Sequence, residues 1–384
     1  MTKLFLLSIF NQCTVAAVSP YLQIILRNKG YSHSLVGVIV ALCQAASIII
    51  PMMVSAVADK VGRTKPFIIG CALLSGLLCI PFVYSSVFAV AVLAAILMNG
   101  IYWCLNPMTD GYANRMLHGD TSRYGFIRAA GTMSYVVTLT SFGIFGFPVE
   151  TDNKSILLCT LMALSALLIV SFFMEEKKPQ KTEKTEKRQF FNAAWFPRKF
   201  YVFMVAVAFT RVSQVIFDKL LASYMTEELG LGKYFTIFIA LGAFIEFFCM
   251  ILGGRILKKG LANSWTLMMV SSFGMIARLL LYLLPGIVPF AIAQCFHGLT
   301  FGIFHVAVTD YIAKNVDPEH YEMGMTIYWS VATNLPQMIG AFLGGYVIQY
   351  LGYPMLFTSY TVFPIIAVFI LLFNKKLIQS EGRA

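Results

Sequence analysis

About twelve apolar windows of roughly 20 residues follow one another along this chain. They begin near Leu4, Val36, Pro66, Phe88, Tyr124, Ser155, Phe200, Tyr234, Trp265, Ile287, Met323 and Pro354. Each has the length a helix needs to cross about 30 Å of hydrocarbon. Composition agrees: 58% of the 384 residues are hydrophobic and 12% charged, against about 45–50% and about 25% in soluble domains. The pattern predicts an all-α membrane protein with 12 transmembrane helices.

The net charge of +11 invites a nucleic-acid reading, but its distribution argues for a bilayer. With the N-terminus cytoplasmic, loops and tails on that side hold 21 of the 29 Lys and Arg, and the opposite side holds Arg27, Lys29, Lys154 and Lys233. That asymmetry places both termini inside. The remaining four, Arg128, Arg211, Lys219 and Arg278, fall within spans. We therefore expect a multi-pass protein of the cell (inner or plasma) membrane with no nucleic-acid partner. The opening stretch has a signal-peptide look, but its apolar run continues to Leu26 and its removal breaks the even span count. All eight cysteines lie in apolar spans without a CxxC, which reads as packing.

One link is long. "EEKKPQKTEKTEKRQFFNAAWFP" is too charged at its start to fold alone and reads as a cytoplasmic linker over 175–198. It divides a six-helix bundle at 1–174 from another at 199–384. The halves echo each other: "TDGYA" from Thr109 and "TDYIA" from Thr309 are offset by 200, and Gly62 and Gly260 by 198. Such a parallel repeat predicts a midplane site drawing on both halves.

The loop "SAVADKVGRTK" after the second span resembles the G-x-x-x-D-[RK]-x-G-[RK]-[RK] loop of the major facilitator superfamily. The resemblance implies that superfamily's fold, with two pseudo-symmetric six-helix bundles and alternating access. Gly62 permits the tight turn, and Asp59 is placed to hold Arg63 or to cap the next helix, a clasp that releases as the halves rock. The plainer reading is a solvated turn. Ser55 replaces the leading Gly, and the second copy, "LKKGLAN", lacks the acid.

Ionised groups in a bilayer are costly, about 2.5–3.5 kcal/mol each on insertion scales, and mark function by default. Four acids, Asp110, Asp218, Glu246 and Asp310, lie in spans beside the four bases. Asp110 and Arg128 stand 18 residues apart across the hairpin joining spans four and five. They read either as a structural salt bridge or as an Arg fork whose carboxylate partner is freed during a cycle. Asp310 and Lys314 read equally as a surface i, i+4 pair.

The Pro-x-x-acid run at Pro107, with Arg128 18 residues after the acid, Phe217–Asp218, Arg278 and Phe296–His297 resemble the lactose permease type of sugar–proton symporter. That likeness implies sugar-binding and proton-coupling roles for Asp110, Arg128, Arg278 and His297. Thr300 stands where that family has its proton-carrying acid, and Ala243, not Glu246, falls nearest its sugar-binding acid. A resemblance over nearly the whole chain is to the phenylpropionate permease group of major facilitators. It is carried by "KGYSHSLVGVI", "PMTDGYANR", "YGFIRAAGTMSYVV" and "FHGLTFGIFHVAVTDYI", with His297, Thr300, Phe301 and His305 in an H-x-x-T-F-x-x-x-H arrangement.

On an ideal helix His297 and His305 are rotated by about 80° and separated by about 12 Å, so they can line one path; both can equally be bonded to neighbouring helices. Desolvation raises a carboxyl's pKa and lowers a histidine's, and a nearby Arg reverses the carboxyl's shift. The expected substrate-binding set is Arg128, Arg278, His297, Thr300, Tyr102, Trp103, Tyr328, Trp329, Asn11 and Gln214. Glu246, Asp110 and His305 are expected in proton coupling, and Asp59, Gly62 and Arg63 at a gate. The aromatic pairs read alternatively as packing, and Asp218 and Lys219, pointing about 100° apart, as bonded to other helices.

The expected function is proton-coupled symport of a small organic solute, best an aromatic carboxylate such as a phenylpropionate-like acid. A sugar or nucleoside symporter is the alternative, and a non-transporting solute sensor the alternative of another class. Neither HExxH nor GxSxG occurs, so no enzyme, metal or cofactor is expected. The protein is expected to act as a monomer on substrate and proton.

Overall fold

The structure, a computed structural model, describes residues 1–117, 121–175, 195–317 and 320–380. The expected linker at 175–198 therefore lies largely outside the described residues. Regular structure among the described residues is entirely helical.

Helices begin at Thr2, His33, Lys65, Phe88, Thr121, Asn153, Arg198, Phe235, Ser264 and Ile287. Each start falls close to a hydropathy window. Local chemistry sets the ends. Gly62 (φ 69) and Gly260 (φ 66) close the helices before them in the left-handed region, at the repeat-related positions. Asp152 accepts from the backbone N–H of Lys154 and Ser155, and Asn263 from that of Thr266, capping the two helices that follow.

Among the described residues, ten helical stretches are long and apolar enough to cross a membrane. One of them, Met323–Phe373, has 51 residues, about 76 Å if straight and more than twice the hydrocarbon thickness. It is broken at Gly352 (φ 79, ψ 175), just before Pro354. Thr121–Phe145 has 25 residues but is not among the ten, because its arginines, serines and threonines dilute the apolar content.

The chain clusters into two compact units, Met1–Glu183 with Ala222–Ala240, and Lys184–Leu221 with Leu241–Ala384. The segment Ala222–Ala240, which the sequence reading assigns to the second bundle, thus counts with the first unit.

In the first unit, Thr2–Val18 lies against Thr121–Phe145 and Asn153–Phe172, and Phe88–Tyr102 against His33–Val61 and Lys65–Tyr84. In the second, Arg198–Val215 packs on Leu335–Tyr360 and Val362–Phe373 around an apolar core that includes the rings of Phe200, Phe203, Phe304 and Tyr311. The Phe203 and Tyr311 rings stack at 3.8 Å.

The second unit also holds three π-helical segments, Ile216–Leu220, Gly298–Ile303 and Ile327–Asn334. Among the described residues the first unit has none. A π turn carries an inserted residue and a wider register, and such turns concentrate at functional sites.

Candidate functional site

The segment Gly298–Ile303 changes the geometry expected of the two histidines. With one residue inserted, eight residues advance about as far as seven on an α-helix, so His297 and His305 come within roughly 20° of one another instead of about 80°. Phe301 sits between them. Its ring lies 5.6 Å from that of His297 and 6.4 Å from that of His305, at interplanar angles of 15° and 22°. The row continues through His305 to Tyr328 (5.8 Å) and Trp329 (5.4 Å).

At one end of this row is a chain of charge. Arg278, on Ser264–Leu281 and 1% exposed, donates to Thr300 Oγ1 (3.0 Å) and Gln294 Oε1 (3.2 Å) and lies 3.2 Å from His297 Nδ1. Its guanidinium covers the Phe217 ring at 3.7 Å. Beyond the imidazole, His297 Nε2 is 3.1 Å from Glu246 Oε2 on Phe235–Lys258. A guanidinium only donates, so Nδ1 must accept and the imidazole proton belongs on Nε2, pointing at the carboxylate. Arg278 and Glu246 thereby fix one tautomer of His297 from its two sides.

Small residues bring these helices together. A Cβ on Gly302 would stand 2.9 Å from the Glu246 carbonyl oxygen, and one on Gly298 2.5 Å from Cys249 Sγ. Close backbone approach of this kind is how helices associate where lipid supplies no hydrophobic drive.

At the other end of the row lies Arg211, on Arg198–Val215 and 0% exposed. Its Nη2 donates to Tyr328 Oη (3.0 Å), and the same hydroxyl lies 3.1 Å from His305 Nδ1. The guanidinium packs over Phe304 at 4.1 Å and Phe301 at 4.8 Å. His305, expected alongside Glu246 in proton coupling, is thus bonded to Tyr328.

A third group centres on Asp218 in Ile216–Leu220, whose two oxygens accept from Gln214 Nε2 and Gln337 Nε2, both at 2.8 Å. Asp310 pairs with Lys314 (2.9 Å, i, i+4) and accepts from Ser264 Oγ (2.6 Å), the plainer of its two sequence readings.

The first unit is differently built. Asp110 Oδ2 and Arg128 Nε do face each other, at 3.7 Å, but the side chains are 38% and 41% exposed. The recess beside them, lined by residues such as Leu4, Ser8, Thr109 and Ile127, encloses about 230 Å³ including open solvent. Asn11, expected to bind substrate, donates to Asn106 Oδ1 at 2.6 Å. Tyr102 and Trp103 form an edge-on pair (5.8 Å, 71°), and Tyr328 and Trp329 a tilted one (4.9 Å, 42°).

At the expected gate, Gly62 makes its left-handed turn and Arg63 is exposed; the Asp59 side chain lies outside the described residues. The same loop is held by contacts not anticipated from sequence. Arg115 donates to Thr64 Oγ1, and Lys65 Nζ donates to the carbonyls of Phe172 and Met174, both at 2.8 Å.

Sequence reasoning also passed over Gln294, Asn106 and Gln337. Gln294 and Gln337 are amides in otherwise apolar helices, and that lone polarity was the available signal; Asn106 stands in a helix already polar, beside Thr109 and Asp110. Among the described residues no cluster of three or more His, Cys, Asp or Glu is arranged to hold a metal ion.

Similarity to known proteins identifies the class. A curated relative, the uncharacterized transporter YwbF of Bacillus subtilis (strain 168), is 22% identical over 359 residues, covering 92% of this chain and 87% of its own. The crystal structure of nucleoside transporter NupG superposes with a TM-score of 0.81 at 13% identity over 99% of both chains. A POT family transporter in complex with a thioalcohol-conjugated peptide does so at 0.76 and 12% identity, over 99% of this chain and 96% of that one. These structures share the fold, which is that of major facilitator transporters, and nothing in the likeness points to an enzyme. With the MFS_1 like family matching residues 1–359, the chain belongs to that family and is a multi-pass membrane transporter.

Proposed function

We propose that this transporter carries a small organic solute together with a proton, by alternating access, and that the solute is an aromatic carboxylate. In this reading the chain makes twelve crossings with both termini cytoplasmic, as bundles 1–174 and 199–384 joined by the linker. The observation that carries the proposal is the Arg278–His297–Glu246 chain, built into the second unit with Thr300 and Gln294 as its other partners.

The chemistry follows from who can donate. Arg278 keeps its protons, so a proton arriving at His297 Nδ1 breaks the Arg278 contact and meets a like charge. A proton arriving at Glu246, which is one-fifth exposed, binds the oxygen that His297 leaves free and preserves Nε2–H donation to the other. Glu246 is therefore the carrier, and His297 the element that reports its charge to Arg278. Neutralising Glu246 loosens the charge balance on Arg278, and substrate and proton become linked. Asp110 is the second candidate carrier.

One carboxylate crossing with one proton moves no net charge, so the pH gradient drives it, at about 1.4 kcal/mol or roughly tenfold accumulation per pH unit. The aromatic row from His297 to Trp329 suits a ring-bearing cargo.

A nucleoside or sugar is the second reading, favoured by the Gln214–Asp218–Gln337 cluster, which offers both donors and acceptors to a hydroxylated ligand. The test is a substrate panel added to unbuffered, deenergised cells while external pH is recorded. Alkalinisation with aromatic acids, and not with sugars or nucleosides, is expected. Alkalinisation with nucleosides or sugars only transfers the assignment to the second reading, and none with any solute defeats proton symport.

A further inference from the structure

Two arginines are fully buried in the second unit, and their surroundings differ in a way that assigns them different work. Arg278 has three polar partners and a carboxylate one imidazole away. Arg211 has none of this: among the described residues no carboxylate pairs with it, and its polar partner is the neutral Tyr328 hydroxyl. Its Nε and Nη1 are buried without a hydrogen-bond partner, which leaves three of the five guanidinium N–H groups unmet.

Burying a charge without a paired counter-charge is costly. The cation–π contacts with Phe301 and Phe304 offset only part of that cost. The deficit marks a site made to be completed by something else. The missing partner must be an anion with acceptor oxygens. It must also suit a wall of rings, since Phe301, Phe304, His305 and Tyr328 surround the guanidinium and Trp329, half-open at 38% exposure, continues the row.

We propose that Arg211 is the cargo's anion site: the carboxylate of an aryl acid accepts from the unmet Arg211 N–H groups while its ring lies along Phe301 and Trp329. This assigns the two arginines separately, Arg211 to the cargo and Arg278 to the Glu246 relay. Tyr328 is then a positioning residue, holding Nη2 on one side and His305 on the other. The inference rests on the carboxylate-cargo reading above.

The test uses the purified full-length protein, with binding of 3-phenylpropionate and of its uncharged amide measured by calorimetry. Charge-assisted hydrogen bonds contribute enough for a roughly 10- to 100-fold preference for the acid in the native protein. Arg211→Gln is expected to reduce that preference to a few-fold while amide binding persists, which also shows that the variant is folded. If Arg211→Gln binds neither ligand, Arg211→Lys decides: amide binding kept with acid binding weakened supports the assignment, and acid binding at the native level overturns it.

An acid preference that survives in Arg211→Gln overturns the inference and leaves the cargo reading standing. Native protein that binds no aryl acid overturns both. Arg211-dependent acid binding without any proton movement in cells overturns proton symport alone.

Discussion

The two halves repeat one another in sequence and diverge in how they treat charge. In the first unit Asp110 and Arg128 meet at 3.7 Å, each more than a third exposed, on regular α-helices. In the second, Arg211 and Arg278 are sealed, and the residues around them stand on or beside π-helical turns. A half-exposed pair is screened and adds little, about 0–1 kcal/mol. A sealed group depends on each of its partners and responds sharply when one changes protonation. The same repeated helix pattern thus holds an adjustable pair on one side and a tightly specified network on the other. The proposed function assigns the proton-linked work to the second.

Several variants put pressure on that contrast. Glu246→Gln should have the largest effect: accumulation driven by the pH gradient, about tenfold per pH unit for one proton, falls to equilibration, while substrate counterflow in proteoliposomes persists. Full accumulation in this variant would falsify its role as carrier.

Arg278→Ala leaves Gln294, Thr300 and His297 without their shared donor. It should cost about 3–5 kcal/mol, read as a marked drop in thermal midpoint in detergent. Gly302→Ala drives a methyl against the Glu246 backbone, where the neighbouring atom is a carbonyl oxygen at 2.9 Å. A loss of about 1–3 kcal/mol is expected, with weakened pH dependence of uptake because the Glu246–His297 contact is spread. A stability equal to the native protein's would show that this close approach matters little.

Arg128→Ala should be the mildest, within about 1 kcal/mol in the same melting measurement. A collapse of the fold there would erase the distinction between the halves.

Much of this architecture was legible in the sequence. Hydropathy placed the starts of the helices because one span must cover one hydrocarbon thickness, and Gly62 and Gly260 revealed a repeat that the backbone repeats in φ. Arg278, His297, Thr300 and Glu246 could be nominated as charges and polar groups out of place in lipid.

Their mutual contacts were not legible. Which helix faces which depends on small residues such as Gly298 and Gly302, and nothing local in "HGLTFGIFH" announces an inserted residue that turns His305 into line with His297. Lone amides such as Gln294 and Gln337 looked incidental until their partners were known. Arg211 stood in the sequence as one polar residue among several in its span, and only its surroundings mark it out.

The most direct test of the central claim is infrared difference spectroscopy of the purified protein on adding 3-phenylpropionate, following the protonated-carboxyl stretch. The account predicts a substrate-induced carboxyl band that disappears in Glu246→Gln and persists in Asp110→Asn. A band lost in Asp110→Asn and retained in Glu246→Gln would move the proton to the first unit and contradict the account.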